Sequence, residues 1–329
     1  MKERNLKDMW RSAERAEPIS VETALEMLGC GAEEIPELLA CATRAKRRNF
    51  GAGYSLCSIM NAKSGACTED CAFCAQSVHH RSEIEISGLA SPGEVVQAYE
   101  GACLLPVRHF GIVTSGMALE EEDVRRLCEA PAMRTKQGVS WCASLGCLDE
   151  PRLTLLKNAG FKRFHHNLET SGSFFPNICS THSYDRRIET LRAAKDAGLE
   201  ACSGGILGLG ESPEQRVELA ATLLREDVDS IPLNFLVPLS GTRLEGATPL
   251  KPLDIIRSIA MFRMMNPRAE IKVCAGRVHL RDLQSMIFYA GATGFMIGPL
   301  LTIDGRGVEN DLRMLDDLEI RGAGLHECH

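Results

Sequence analysis

A chain of 329 residues, 44% hydrophobic and 25% charged, has the composition of a globular enzyme with one large or two ordinary domains. A net charge of −7 and a pI near 5.8 argue against a nucleic-acid surface, and no apolar run is long enough to span a bilayer. Residues 1–8 lack the apolar core of a secretory signal, so the expected location is the cytoplasm, where thiols stay reduced and fourteen cysteines read as metal or cluster ligands plus small buried residues.

Residues 1–50 read as a helical extension, with Ala24, Leu25 and Leu28, then Leu38, Leu39, Cys41 and Ala42, at helical spacing. After Gly51-Ala52-Gly53 the pattern changes to short β-rich runs separated by amphipathic helices. Eight strands are predicted, over 54–60, 108–114, 138–144, 161–168, 199–206, 230–236, 271–275 and 294–297. The helices predicted between them cover 91–104, 121–130, 151–159, 185–197, 213–225, 252–265 and 280–290. Several open on a capping or proline signal such as Ser91-Pro92, Ser212-Pro213 or Lys251-Pro252. Strict strand–helix alternation implies a parallel sheet, and eight units over 51–305 match a (β/α)8 TIM-type barrel; a partial six-strand barrel is the alternative. The polar tail 306–329 is expected to fold over a barrel end.

Directly after the first strand stand three cysteines, Cys67-x-x-x-Cys71-x-x-Cys74. A compact loop with three thiolates can hold three corners of a cubane iron–sulfur cluster and leave the fourth iron open to a ligand. The alternatives are a zinc site, with His79 or His80 as fourth ligand, or three ordinary cysteines. Zinc ligands usually come as two separated pairs, and no second Cys-x-x-Cys follows. Barrel active sites lie at the C-terminal ends of strands, which is where this loop falls. Other strand ends point the same way. Phe164-His165-His166-Asn167-Leu168-Glu169-Thr170 gathers polar groups that a barrel mouth cannot bury unpaired, with Asn167 and Glu169 on one face. The glycines of Cys202-Ser203-Gly204-Gly205 remove side chains where a ligand could approach the backbone, and Asn234 is a lone amide in an apolar strand. An isolated Asn is more often structural, but three such positions at strand ends favour a ligand site.

The cysteine spacing resembles the signature of the radical S-adenosylmethionine (SAM) enzymes. More specifically, Gly65–Ser77, His166–Ser171, Cys202–Glu211 and Asn234-Phe235-Leu236, in that order, resemble the biotin synthase family from about residue 35 to 305. The resemblance implies a cytoplasmic homodimer that binds SAM on a [4Fe-4S] cluster held by Cys67, Cys71 and Cys74. An external donor such as flavodoxin or ferredoxin would supply electrons. Reductive cleavage of SAM would give a radical that abstracts hydrogen from dethiobiotin, and a second, auxiliary cluster would give up the sulfur that completes biotin. By position, Asn167 and Glu169 would contact SAM and substrate, Arg187 would lie near the SAM carboxylate, Gly204 and Gly205 would belong to the SAM site, and Asn234 would bind substrate. Similar barrels in hydrogenase maturation or methylornithine synthesis, and a non-catalytic iron–sulfur carrier, are the competing readings.

The auxiliary site departs from the family pattern. The family's [2Fe-2S] cluster has three cysteines and an arginine; Cys142 and Cys202 match two, but Gly111 and Lys272 occupy the other two positions. A protonated lysine cannot coordinate iron. Cys57 and Cys274 are expected to compensate. With Cys142 and Cys202 they lie on strands one, three, five and seven, and alternate strands of an eight-stranded barrel supply one interior layer. The expectation is therefore a four-iron auxiliary cluster, with room for an extra sulfide if only three thiols bind. The alternative is that Cys57 and Cys274 are small core residues. Cys147 and Cys179 read as ordinary loop cysteines.

Overall fold

Apolar β-branched runs punctuated by capping signals fold as a parallel barrel in the computed structural model, which describes residues 3–298 and 306–322. Eight strand positions form one sheet in the order β1 (Leu56–Lys63), β2 (Val107–Thr114), β3 (Ser140–Ser144), β4 (Arg163–His165), β5 (Glu200–Cys202) with β6 (Gly205–Leu207), β7 (Ser230–Phe235), β8 (Glu270–Val273) and β9 (Gly294–Phe295). All pairings are parallel. The ring closes where Ser55 N donates to Thr293 O (2.9 Å) and Ile297 N donates to Cys57 O (2.9 Å). Eight positions settle the choice against a six-strand barrel.

The fifth position is broken into β5 and β6 because the chain passes too close to its neighbour. A Cβ on Gly204 would sit 2.0 Å from Pro232 O, and one on Gly205 would sit 2.5 Å from Glu169 O. Both segments still pair with β7, Cys202 to Ser230 and Gly205 to Leu233.

The N-terminal helices α1 (Glu3–Arg15), α2 (Val21–Gly29) and α3 (Ile35–Phe50) fold as expected. They sit against α10 (Pro252–Met265), which is buried along almost its whole length. That double burial explains a helix apolar all round. Arg263 within it is fully buried, its Nε donating to the carbonyl of Gly291 (2.9 Å) and its Nη1 to those of Asn266 (3.1 Å), Pro267 (3.1 Å) and Ala269 (2.8 Å), while Nη2 has no hydrogen-bond partner among the described residues. The helices α4 (Pro92–Ala102) and α9 (Pro213–Arg225) open on full capping boxes, at Ser91/Glu94 and Ser212/Gln215. Between them lie α7 (Glu150–Asn158) and α8 (Tyr184–Asp196), capped by Asp149 and Ser183.

Two predicted helices differ from expectation. The stretch 121–130 divides into α5 (Glu121–Leu127) and α6 (Ala130–Met133), whose second residue, Pro131, cannot donate a backbone hydrogen bond to a helix running in from α5. The stretch 280–290 becomes a 3-10 segment, Arg277–Leu283, broken by Arg281 at φ +51, followed by the short α11 (Met286–Tyr289). In the tail, α12 (Val308–Asp317) is tied back by a buried pair in which Arg277 donates twice to Asp311 (2.7 Å each). The expected boundary between barrel and tail falls at 299–305, outside the described residues. Among the described residues no helix is long and apolar enough to cross a membrane.

Candidate active site in the barrel mouth

The cysteine loop leaves β1 at its C-terminal end through two left-handed residues, Gly65 (φ +73) and Ala66 (φ +50). Gly65 has no room for a side chain, since its Cβ would meet Ile86 Cγ1 at 2.8 Å. The loop is then closed by its own backbone, Cys67 N on Gln76 O (3.0 Å), Val78 N on Cys67 O (2.8 Å) and Cys74 N on Cys71 O (3.0 Å). Gln76 Oε1 accepts from Gly65 N (2.9 Å). Cys67, Cys71 and Cys74 all face one cavity of about 410 Å³ that runs down the barrel axis. Burial lifts the Cys74 thiol to about 11. The two zinc candidates are engaged elsewhere. His79 Nε2 contacts Thr68 O (3.0 Å), His80 Nδ1 contacts Cys74 O (2.8 Å), and neither ring lines the cavity. Three thiols converging on a closed loop are a donor set that fits a cubane with one open corner.

Next to this loop the fourth strand ends in a strained turn. Glu169 has φ +67, a left-handed conformation that a non-glycine residue adopts only where the surroundings hold it. Its carboxylate meets Arg187 Nη1 at 3.4 Å, and the same nitrogen donates to Asn167 O at 2.9 Å. Asn167 turns its amide nitrogen to Glu169 Oε2 (3.3 Å) and takes Gly204 N on its oxygen (3.1 Å). Asn234 donates to Gly205 O (3.2 Å) and accepts from Ala275 N (3.0 Å). Each amide nitrogen thus makes one hydrogen bond to its surroundings, and both residues line the cavity. Gly204 and Gly205 do not line it. Close backbone approach explains the need for glycine at both, and their polar atoms orient Asn167 and Asn234.

Deeper down, Cys57, Cys142, Cys202 and Cys274 line the same cavity, with Gly111 and Lys272 among them. Register explains the grouping: Gly111 is paired with Cys142 and Ile59, and His165 with Cys202. Cys274 lies one residue beyond β8 and turns inward as Lys272 does. Burial raises all four thiols, Cys142 and Cys274 most. Lys272 is fixed by donation to Ser55 O (2.6 Å) and by Glu270 (3.2 Å). Arg163 completes that floor, donating to Glu200 (2.7 Å) and Glu270 (2.9 Å). Burial opposes the Glu270 charge, yet Lys272 and Arg163 hold it down to about 2. Two imidazoles complete the chamber. His165 Nδ1 lies 3.4 Å from Cys202 Sγ and His109 Nδ1 lies 4.0 Å from Cys57 Sγ. Burial, reinforced by Arg163, depresses them to about 4 and about 3, so both are neutral. A layer of soft thiols beside the paired charges of Lys272, Arg163, Glu270 and Glu200 fits a sulfide cluster far better than an oxygen-liganded ion.

The structure also places residues that sequence reasoning left out. Cys147 lines the cavity with its thiol 3.6 Å from His166 Nε2, and Cys179 lies 3.8 Å, sulfur to sulfur, from Cys71. His109, Arg163 and His182 also line the cavity. Only the polar character of His109 and Arg163 within β-rich runs could have marked them.

The Radical SAM superfamily model matches residues 62–223, and the Biotin and Thiamin Synthesis associated domain matches 232–321. A biotin synthase of Maridesulfovibrio salexigens is 49% identical over 311 residues, 94% of this chain and 95% of its own length. One of Geobacter metallireducens is 47% identical over 94% and 95%. Among solved structures, methylornithine synthase (PylB) superposes with a TM-score of 0.79 over 96% of this chain and 97% of its own, at 19% identity. The [FeFe]-hydrogenase maturase HydG superposes with a TM-score of 0.81 over 97% and 75%, at 14% identity. The last two likenesses bear on the fold alone.

Proposed function

The chain belongs to the biotin synthase family, and from that premise we propose that it makes biotin from dethiobiotin by radical SAM-dependent sulfur insertion, with the sulfur drawn from a four-iron auxiliary cluster. The observation that carries the reading is a single cavity with three thiols at its mouth, four at its floor, and Asn167, Glu169, Arg187 and Asn234 between them. When bound, the upper cluster and SAM supply the hydrogen-abstracting radical and the lower cluster supplies sulfur. Cys67, Cys71 and Cys74 hold the first; Cys57, Cys142, Cys202 and Cys274 hold the second, in place of the ligands lost at Gly111 and Lys272.

The remaining work of the chain is placement. Glu169 and Arg187 present opposite charges for the ammonium and carboxylate of an amino-acid moiety, and Gly204 and Gly205 fix that turn through their backbone contacts. The side-chain amides of Asn167 and Asn234 suit the carbonyl of a cyclic urea such as dethiobiotin carries. Apolar neighbours such as Phe73, Val113 and Leu236 keep water from the space between. We extend the proposal to a cytoplasmic homodimer served by flavodoxin or ferredoxin, organised as a helical extension (1–50), a barrel (51–305) and a tail (306–329). Family membership supports the homodimer and the electron donor; the three-part division rests on the change of sequence pattern after Gly51-Ala52-Gly53 and on the polar tail.

Anaerobic incubation with SAM, a reductant and dethiobiotin tests the reading. It should yield 5′-deoxyadenosine, methionine and biotin. Deoxyadenosine without biotin would move the substrate to that of another radical SAM barrel; neither product would leave an iron–sulfur carrier.

A further inference from the structure

Barrel interiors are ordinarily filled by layers of branched apolar side chains. At the end opposite the mouth this barrel is polar instead. Arg163, Glu200, Ser230 and Glu270 are each the first residue of their strand, on β4, β5, β7 and β8, so all four stand at the N-terminal rim. Register sets Arg163 against Cys142 on one side and Glu200 on the other, and Ser230 against Cys202 and Glu270. Arg163, Ser230 and Lys272 line the cavity beside the floor thiols, whereas Glu200 and Glu270 do not.

One side chain spans this rim from the chamber to solvent. The Arg163 side chain is 8% exposed and holds Glu200, which is 49% exposed, through Nε (2.9 Å) and Nη2 (2.7 Å). Its Nη1 donates to Glu270 (2.9 Å), which is only 13% exposed and is held in turn by Lys272 (3.2 Å). The two halves of this arrangement differ in strength. A pair with a half-exposed partner is solvated and screened, and it parts at little cost. The buried pair resists separation, because parting would strand a charge away from water. Arg163 is therefore anchored by Glu270 and latched by Glu200.

We propose that the Arg163–Glu200 pair is a gate at the N-terminal rim through which inorganic sulfide reaches the floor cluster. The proposal rests on Cys57, Cys142, Cys202 and Cys274 holding a cluster that gives up sulfur. A site that spends sulfide must be resupplied, and the route from the mouth is blocked by the upper cluster, SAM and the substrate. The route from the rim crosses one side chain. Release of Glu200 frees N–H donors of Arg163, which stand with the Ser230 hydroxyl and the Lys272 ammonium between the rim and the thiols and can hydrogen-bond a small anion on its way. Exchange through the gate makes no redox demand. One sulfide enters, one leaves, and no electron moves.

The test is sulfide exchange in the resting holoenzyme. Wild type, Glu200→Ala and Glu200→Gln are incubated without reductant in isotopically labelled sulfide, with and without saturating SAM and dethiobiotin, and then desalted. A single turnover is started with reductant, and the labelled fraction of the biotin is read by mass spectrometry. Label is also counted as acid-labile sulfide in the same three proteins carrying alanine at 67, 71 and 74, which keep the floor cluster alone. Uptake in the wild type is expected to be the same with the mouth filled or empty. It should be about fivefold faster in Glu200→Ala, the effect of losing one partly exposed ion pair. Glu200→Gln retains hydrogen bonds without the charge and should fall between. If Glu200→Ala sheds floor iron, the comparison passes to Glu200→Gln, which must still exchange faster than the wild type. Exchange that stops when SAM and dethiobiotin fill the mouth, equal rates in all three proteins, or no label in the wild type overturns the gate. An absence of biotin from the wild type refutes the functional reading instead, and the acid-labile label then decides the gate by itself.

Discussion

The two groups of thiols in the cavity are held in opposite ways. The mouth group lies within eight residues of sequence, on a loop closed by its own backbone and side chains. The floor group is scattered from Cys57 to Cys274 and is assembled only by strand register, as in the pairing of Gly111 with Cys142 and of His165 with Cys202. A local loop can lose one ligand and keep its shape. A register-built site has rigid walls, and each position either faces the cavity or does not. The mouth suits a cluster that must bind, cleave and rebind SAM; the floor suits one enclosed within the barrel.

The largest effect should come from breaking the mouth. Cys67→Ala, Cys71→Ala or Cys74→Ala is expected to abolish 5′-deoxyadenosine formation, and near-normal cleavage in any of them would remove the SAM-binding cluster from this loop. Breaking the floor should separate the two halves of the reaction. Cys57→Ala plus Cys274→Ala is expected to keep SAM cleavage while losing auxiliary iron and biotin. In a variant with alanine at 67, 71 and 74, Mössbauer spectroscopy should count about four irons per chain in the remaining cluster. A count of about two, or full iron after loss of Cys57 and Cys274, contradicts the four-thiol floor.

Between the two groups, Asn167→Ala or Asn234→Ala should leave both clusters intact and weaken SAM or substrate binding. The expected cost is about 1–3 kcal/mol each, roughly 5- to 150-fold in affinity. Unchanged binding in both variants would make them purely structural amides, consistent with their bonds to Gly204, Gly205 and Ala275. The smallest effect concerns the floor's charge network. The Glu270 carboxyl is held at about 2, below its ordinary 4.5, so its contribution to stability is complete above pH about 4.5 and lost as pH falls toward 2. Guanidinium midpoints of the metal-free chain should show a wild-type advantage over Glu270→Gln that shrinks through that window; a constant difference would mean the pair does not titrate as placed.

The mouth was legible in sequence because its information is local: spacing, a preceding strand and the loop position follow from a dozen residues. The eight strands and most helices were legible too, from alternation and capping. What escaped was whatever depends on three-dimensional closeness. Gly204 and Gly205 read as space for a ligand, yet the space is taken by Pro232 O and Glu169 O. Cys179 read as an ordinary loop cysteine because nothing in its own neighbourhood reveals that Asp70 and Arg243 bring it against Cys71. The split of the fifth strand at Ser203-Gly204 was hidden for the same reason. Cys57 and Cys274 were accessible only by assuming the barrel and counting alternate strands.

The seam of the barrel has a consequence for how the chain comes to its native state. The first strand joins the last through Cys57 and residues 296–297, partners from nearly opposite ends of the barrel sequence. Contacts so distant along the chain form late, because loop-closure entropy must be overcome before they stabilise anything. Until then β1 and β9 are open edges, each a template for pairing with another molecule. Newly made chains are therefore most prone to aggregate just before the seam shuts, and a solvent or chaperone that shields strand edges should improve recovery more than one that masks apolar surface.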